Sequence, residues 1–190
     1  MATEIELKAH VRDSEALKTL LSEKAVYSGA FEKRDVYWFG PDTSAFPVTK
    51  LRLRREKRSF ADGTEKSLCL VTYKAKEVNN GIEINEELEF EVDPVEAFEE
   101  FLVKAGLKPG VGKIKRGWVF LNGELTAELV EVDSLGWFVE LEILVNTEDK
   151  SEETLSGVRE TLLAFLDSLG IERDAIERRF YLDMLSSIEN

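Results

Sequence analysis

The sequence has a single cysteine and no long apolar run. One cysteine, Cys69, among 190 residues excludes an internal disulfide and a zinc site built from several cysteines. No apolar stretch approaches the roughly 20 residues that a membrane-spanning helix needs. The chain is already acidic at Glu4, which is untypical of a secretory leader. These absences together predict a cytoplasmic protein that does not associate with a membrane.

Positive charge is also in short supply. The chain has 25 lysines and arginines against 38 acidic residues, so its formal net charge is −13. A long polyanion would be repelled over much of such a surface, which excludes a nucleic-acid polymer as the expected partner. A short polyanion in a locally basic pocket is not excluded. With 43% hydrophobic residues, the chain predicts a single domain over residues 1–190 with a sizeable core.

The hydrophobic pattern predicts strands in hairpins, with helices between the groups and at the end. Alternation of apolar and polar residues indicates strands at 3–11, 34–40, 48–56, 66–76, 82–92, 111–120, 124–132 and 137–145. Helical spacing indicates helices at 13–25, 93–106, 151–169 and 174–188. This order predicts an α+β fold built on a large antiparallel sheet.

Nearly every predicted strand has one strictly charged face. Glu4, Glu6 and Lys8 alternate with apolar residues at the start of the chain. Other strands have purely basic or purely acidic faces: Arg52 and Arg54; Lys74 and Lys76; Lys113 and Lys115; Glu87, Glu89 and Glu91; Glu140 and Glu142. If the apolar faces pack on helices, the charged faces must look toward one another or toward water.

An antiparallel sheet of about eight strands can close on itself and leave room for a small ligand. We therefore expect a closed antiparallel β-barrel, or tunnel, with a charged interior and helices packed outside. A curved open sheet with a salt-bridged outer face is the alternative.

Several short motifs resemble those of one known family. The Glu-x-Glu-x-Lys pattern of residues 4–8 resembles the N-terminal signature of the CYTH superfamily, the triphosphate tunnel metalloenzymes. Further resemblances follow in the family's order at residues 35–38, 51–54, 72–74, 87–89 and 180–185. Residues 135–142 are similar to the Leu-Gly-x-Phe-x-Glu-x-Glu segment of the class IV adenylyl cyclase branch.

The resemblance implies an enzyme that needs Mg²⁺ or Mn²⁺ and acts on a small-molecule triphosphate. The first expectation is a class IV adenylyl cyclase-like lyase, which converts ATP to cyclic AMP and pyrophosphate. The alternative is a triphosphatase that hydrolyses inorganic, thiamine or nucleoside triphosphate. A second alternative is a non-catalytic module that binds polyphosphate. The oligomeric state stays open, with a homodimer as one alternative.

The resemblance also implies roles for individual residues. Arginines hold phosphate oxygens with two-pronged hydrogen bonds, lysines act as point charges, and Mg²⁺ prefers oxygen ligands. The expected catalytic residues are Glu4, Glu6 and Lys8. The expected substrate-binding residues are Lys8, Arg52, Arg54, Lys74, Lys76, Lys113, Lys115 and Arg116. The expected metal ligands are Glu4, Glu6, Glu87, Glu89, Glu128, Glu140 and Glu142.

Two positions depart from the family's pattern. Val130 stands where the class IV branch carries an inward aspartate, and Glu128 lies two residues earlier on the same face. Lys115 and Arg116 point to opposite faces of a regular strand, so only one of them can face a tunnel. Both departures concern cyclase activity more than triphosphate binding.

Overall fold

The computed structural model describes residues 2–40, 51–79, 82–146 and 151–188, without the side chains of Ala2, of residues 74–79 and of residues 86 and 87. The strands are β1 (Ala2–His10), β2 (Val26–Phe39), β3 (Leu51–Phe60), β4 (Glu65–Asn79), β5 (Ile82–Glu91), β6 (Lys108–Asn122), β7 (Leu125–Val132), β8 (Gly136–Asn146) and β9 (Ile176–Glu177). The α-helices are α1 (Ser14–Lys24), α2 (Val95–Lys104), α3 (Glu152–Ser168) and α4 (Tyr181–Ile188).

The strands form one antiparallel sheet that curls. Its order is β5-β4-β3-β2-β6-β7-β8-β1-β9. Strand β1 pairs with β8 along its whole length, and it also pairs with β5 from Thr3 opposite Glu86 to Glu6 opposite Glu83. The strand at the far end of the order therefore returns to β1. The predicted α+β fold with a large antiparallel sheet is confirmed.

The outer face of the sheet carries the main core. Leu7 of β1 and Leu141 of β8 are fully buried and belong to one cluster with Leu21 of α1 and Leu166 of α3. These apolar residues alternate with the charged ones along β1 and β8, so burying one face leaves the other face for the concave side. Helix α2 covers a separate cluster on the outer face of β2, β3 and β4. Among the described helices, none is both long and apolar enough to cross a membrane.

Strand β2 begins at Val26, well before the predicted start at residue 34. Residues 32–35 are all charged, so the apolar–polar alternation on which the prediction depended is absent just before residue 36. The pairing with β6 shifts register between Tyr27 and Gly29. Gly29 is required there, because a Cβ at this position would lie 2.3 Å from the carbonyl oxygen of Ser59.

Two other boundaries differ from the prediction. The segment 174–188, predicted as one helix, contains a 3-10 turn at Arg173–Ala175, then β9, and a helix only from Tyr181. The apolar residues of this segment are spaced as in a helix, but Ile176 lies in β9 and pairs with Ala9 of β1. Strand β3 extends to Phe60 rather than ending at residue 56, and the start of the predicted strand, residues 48–50, lies outside the described residues.

Candidate active site

The concave side of the sheet encloses a cavity of about 1160 Å³. Alternate side chains of the strands line it, together with the first turn of α4. Among the described residues, nine acidic side chains face it: Glu4, Glu6, Glu56, Glu83, Glu89, Glu128, Glu140, Glu142 and Asp183. Seven cationic side chains of the same described set face it: Lys8, Lys33, Arg52, Arg54, Arg58, Lys113 and Lys115. Acidic and basic walls of this kind can compensate each other without a ligand.

One part of the cavity wall is basic and is built on β2, β3 and β6. Asp35 of β2 lies directly opposite Arg54 of β3 and directly opposite Lys113 of β6 in the two ladders. The Asp35 carboxylate accepts hydrogen bonds from Nε and Nη2 of Arg54, at 2.7 and 3.0 Å. The Lys113 ammonium lies 3.4 Å from the same carboxylate. Burial opposes the charge of Asp35, but the two cations prevail and hold its pKa well below the usual range.

Lysines from three elements are each paired with a carboxylate. Lys8 is paired with Glu83 of β5. Lys115 donates to Glu140 of β8 at 2.5 Å, and this ammonium lowers the pKa of Glu140 even though burial would raise it. Lys33 donates to both oxygens of Glu128, at 2.6 and 2.9 Å. Lys33 is not among the site residues expected from the sequence.

The Tyr181 ring at the start of α4 lies among the lysines. The ammonium groups of Lys8, Lys113 and Lys115 lie 5.4, 5.0 and 5.3 Å from the ring centroid, within the range of a cation–π contact. The same ring packs edge-to-face on Phe138 with centroids 5.1 Å apart. A helix from the end of the chain thus completes a site that begins on β1.

Arg52 presents an unused donor to the cavity. Its Nη2 group donates to the Thr72 hydroxyl at 3.0 Å and lies 3.5 Å from a carboxylate oxygen of Glu89. Its Nε is buried, and no described residue accepts a hydrogen bond from it. Because an unmade hydrogen bond is costly for a buried group, this atom is suited to receive an oxygen of a bound anion.

The opposite wall is acidic and crowded. Glu6 of β1 lies directly opposite Glu142 of β8, and Glu4 lies one position further along the same face. Burial and then the nearby charges of Glu4, Glu6 and Glu128 raise the pKa of Glu142 to about 8. Like charges facing each other on neighbouring strands are destabilising. A bound cation would relieve this repulsion.

The donor set fits an oxygen-seeking divalent cation in its chemistry. Carboxylates are the side-chain ligands that Mg²⁺ takes in proteins. The buried carboxylate of Glu140 is paired with Lys115 and also accepts from the Tyr181 hydroxyl, so it would have to exchange partners to serve as a ligand. In the described part of the chain, however, no three acidic, histidine or cysteine side chains converge into a ready-made metal site. Binding would therefore require the carboxylates to draw together around the ion.

The cavity brings together most of the residues predicted from sequence. Those that line it are Glu4, Glu6, Lys8, Arg52, Arg54, Glu89, Lys113, Lys115, Glu128, Glu140 and Glu142. Arg116 is not among them, because it points outward and donates to Glu32 and Asp133 at 3.0 and 2.7 Å. The predicted Lys74, Lys76 and Glu87 side chains lie outside the described residues.

Sequence reasoning missed several lining residues that share the predicted alternation. Glu56 and Arg58 continue the parity of Arg52 and Arg54 along β3, and Glu83 has the parity of Glu89 along β5. Extending each strand by its period of two would have found them. Lys33 has the parity of Asp35 and Tyr37 and lies one residue before the predicted start of β2, so the same extension would have found it.

Val130 points inward, as its parity predicts, but into an apolar part of the interior. It is fully buried and belongs to a cluster with Phe31, Phe138, Tyr181 and Met184. Two of these residues come from α4, so the helix fills the space next to Val130 with apolar side chains. Glu128, two residues earlier on β7, lines the cavity instead.

Comparisons with known proteins agree with this architecture. A family model described as the CYTH domain matches residues 2–181. A Methanocaldococcus jannaschii protein named "Putative adenylate cyclase MJ0240" is 26% identical over 186 residues, which cover 95% of this chain and 97% of that protein.

Solved structures share the same fold. The PH1819 protein from Pyrococcus horikoshii superposes with a TM-score of 0.75 at 26% identity, over 97% of this chain and 99% of that one. A Hippeastrum protein, described as "Putative adenylyl cyclase HpAC1" that "reveals a dominant triphophatase activity", superposes with a TM-score of 0.63 at 18% identity, over 98% and 96% of the two chains.

Proposed function

The chain belongs to the CYTH domain family, and on that premise we propose that it is a Mg²⁺-dependent enzyme acting on a triphosphate in the charged cavity. The proposal includes a closed tunnel, in which the pairing of β1 with β5 joins the two ends of the sheet. The substrate is a small-molecule triphosphate, and we propose a cytoplasmic location for the protein.

One unsatisfied atom carries the proposal. Arg52 Nε is a buried donor, and no described residue accepts a hydrogen bond from it. A buried polar group without a partner is unfavourable, so native proteins rarely retain one without a reason. An anion would satisfy the arginine, and a cation would relieve the crowded carboxylates of Glu6 and Glu142. A metal-bound phosphate chain offers both from one ligand.

Glu4, Glu6 and Glu142 would hold the metal, with Glu128 and Glu140 beside them. A Mg²⁺ ion held by these residues would supply positive charge to offset the charge of the phosphates during P–O bond cleavage. The raised pKa of Glu142 supports this assignment, because after burial its main causes are the charges of Glu4, Glu6 and Glu128, whose repulsion a dication would relieve.

The cavity's cations would bind the phosphates by exchanging partners. Lys8, Lys33 and Lys115 are each held by a carboxylate in the structure, so an arriving phosphate must compete with Glu83, Glu128 and Glu140. Those carboxylates are then free to turn toward the metal. The exchange keeps the buried charges compensated at each step, which buried ions require.

We propose an adenylyl cyclase as the first candidate. In this reaction the ribose 3′-hydroxyl of ATP attacks the α-phosphorus, the hydroxyl loses its proton, and pyrophosphate leaves. The match of residues 135–142 to the class IV segment supports it, and so does the name of the Methanocaldococcus relative. Both glutamates of that segment, Glu140 and Glu142, line the cavity.

A triphosphatase is the second candidate. In that reaction water attacks the terminal phosphorus, and orthophosphate is released. The Hippeastrum protein is described by both activities, and its likeness to this chain is one of fold. The same charged walls would serve either reaction, because the two differ in which oxygen attacks and which phosphorus is attacked. A binding module without turnover is the remaining alternative.

One experiment separates these outcomes. The protein is incubated with Mg²⁺ or Mn²⁺ and with ATP, inorganic triphosphate or thiamine triphosphate, and the products are separated. Cyclic AMP with pyrophosphate indicates the cyclase, orthophosphate indicates the triphosphatase, and binding without product indicates the module.

Two arginine variants provide the matched control. Arg52→Ala alters the cavity, whereas Arg116→Ala alters an arginine on the outer face. Activity that belongs to the cavity is reduced by the first variant and kept by the second. Equal activity in both variants would show that a contaminant produces the signal, and absence of any triphosphate binding would contradict the proposal.

A further inference from the structure

Asp35 sits behind the basic wall rather than in it. Its side chain has no exposure to solvent, and it is not among the residues that line the cavity. Yet it is the shared partner of two residues that do line it, Arg54 and Lys113. The three residues occupy one row across β3, β2 and β6, with the anion between the two cations.

The row fixes the orientation of Arg54. Asp35 accepts from Nε and from Nη2, so one edge of the planar guanidinium is used by the protein. The other edge, with Nη1, is not held by Asp35, and Arg54 lines the cavity. A guanidinium is rigid and planar, so fixing one edge also fixes the direction of the other. Arg54 is therefore pre-oriented before any ligand arrives.

The same carboxylate acts on Lys113. Burial lowers the pKa of Lys113, and the cations of Lys115 on β6 and Arg54 on β3 lower it further. The groups that act in the opposite direction are Tyr37 and Asp35, both on β2. From α4, the Tyr181 ring lies 5.0 Å from the Lys113 ammonium.

We propose that Asp35 is a positioning residue of the phosphate-binding wall, which holds the Arg54 guanidinium and the Lys113 ammonium for a triphosphate that it does not itself touch. This inference rests on the proposed function, because it names how that site is organised. Asp35 is fully buried and paired with Arg54 and Lys113, so its contacts with the site are made through these two residues.

The proposal predicts that loss of the Asp35 charge weakens triphosphate binding, whereas a count of net charge predicts tighter binding. Removing a negative charge next to a polyanion site should tighten binding if only the net charge matters. If Asp35 orients the cations, its loss should weaken binding instead, because the arginine loses the acceptor that fixes its edge. Asp35→Asn keeps the shape of the side chain and removes the charge, so it tests the two views directly.

The experiment measures the dissociation constant of a non-hydrolysable imido analogue of inorganic triphosphate by calorimetry, with Mg²⁺ present. Asp35→Asn should weaken binding roughly tenfold or more, the scale of a lost hydrogen bond between charged groups. The matched control is Asp133→Asn, which removes another aspartate that accepts from an arginine, Arg116, on the outer face. The control should bind the analogue like the wild type.

The dependence of the dissociation constant on pH is a further measurement, which would not change if Asp35 had only a structural role. Because Asp35 supports the charge of Lys113, the variant should lose affinity at a lower pH than the wild type does. Unfolding of each variant is followed by circular dichroism, so that weaker binding is not mistaken for loss of fold.

A second variant covers the case in which Asp35→Asn does not fold. Asp35→Glu keeps the charge and displaces it by one methylene, so it should weaken binding while keeping the wild-type pH profile. Wild-type or tighter affinity in Asp35→Asn, or unchanged affinity in Asp35→Glu, would overturn the inference. Failure of the wild type to bind the analogue would instead remove the proposed function, and this inference with it.

Discussion

Replacing Glu142 by glutamine should stabilise the protein in the absence of metal. The carboxyl of Glu142 is mostly buried and faces Glu6 directly across the β1–β8 ladder. Burial, followed by the charges of Glu4, Glu6 and Glu128, raises its pKa from 4.5 to about 8. Glutamine has nearly the same shape and no charge, so it removes the repulsion without leaving a cavity.

The magnitude follows from the two pKa values. An acid with a raised pKa in the folded state makes no difference below pH 4.5, where both states are protonated. Its destabilising effect then grows until about pH 8, where both states have lost the proton. The interval corresponds to a ceiling of about 5 kcal/mol, at about 1.4 kcal/mol per pH unit. Side-chain relaxation and water penetration reduce this, so we expect a gain of about 1–2 kcal/mol at pH 8.

Chemical denaturation of the metal-free protein at pH 5 and pH 8 tests this expectation. Glu142→Gln should be close to the wild type at pH 5 and more stable at pH 8. Addition of Mg²⁺ should raise the thermal midpoint of the wild type more than that of the variant, because the variant has lost one candidate ligand.

Glu140→Gln is the matched control, on the same strand and the same face. The pKa of Glu140 is lowered by Lys115, so this carboxylate contributes stability above its unfolded pKa of 4.5 and loses that contribution as the pH falls. Its replacement should destabilise the protein at pH 8 by leaving Lys115 buried without its partner. Equal and destabilising effects of both variants at pH 8 would refute the acidic crowding at Glu142.

Further variants test the basic wall, the acidic wall and the apolar cluster around Val130. Arg52→Ala should weaken binding of a non-hydrolysable triphosphate analogue by about 1.5–3 kcal/mol, with only partial rescue by Arg52→Lys; full rescue in calorimetry would refute a two-pronged contact. Glu6→Gln should fold normally and lose most turnover, and unchanged turnover at limiting Mg²⁺ would remove Glu6 from the metal ligands. Val130→Asp should lower the free energy of unfolding by about 3 kcal/mol at pH 7, because it places a carboxylate in an apolar cluster; wild-type stability in denaturant would contradict the packing of α4.

The inward residues were predictable wherever a strand kept its alternation. Side chains alternate with a period of two, so Glu6, Arg52 and Glu140 could be assigned to charged faces from the sequence alone. The apolar residues between them then had to face the helices. The prediction was incomplete on β2, which begins at Val26 rather than at residue 34 and therefore includes Lys33.

The pairing of charges could not be predicted in this way. Lys8 is paired with Glu83, which lies 75 residues further along the chain, on a strand that meets β1 only because the sheet curls. Alternation reports which face a side chain occupies, and says nothing about which strand lies next to it. The partners of Arg54 and Lys115 also lie on other strands, so they too could be identified only once the strand order was known.

The packing position of α4 also could not be predicted from the sequence. Parity correctly placed Val130 on the inner face, which suggested a vacant ligand position. The structure instead covers Val130 with Tyr181 and Met184, so the inner face is apolar at this end and charged where Glu128 lies. Sequence spacing does not reveal which part of a strand a distant helix will cover.

The separation of the two walls explains why metal and phosphate should enter together. A bare triphosphate would bring several negative charges into a cavity whose described lining already includes many acids, and it would meet Glu6 and Glu142 as well as Arg52. A dication alone would relieve the acids but leave the lysines in their existing pairs. On the proposed function, each ligand therefore improves the cavity for the other. Such coupling is reciprocal by thermodynamic necessity, so Mg²⁺ should raise the affinity for triphosphate by the same factor as triphosphate raises the affinity for Mg²⁺.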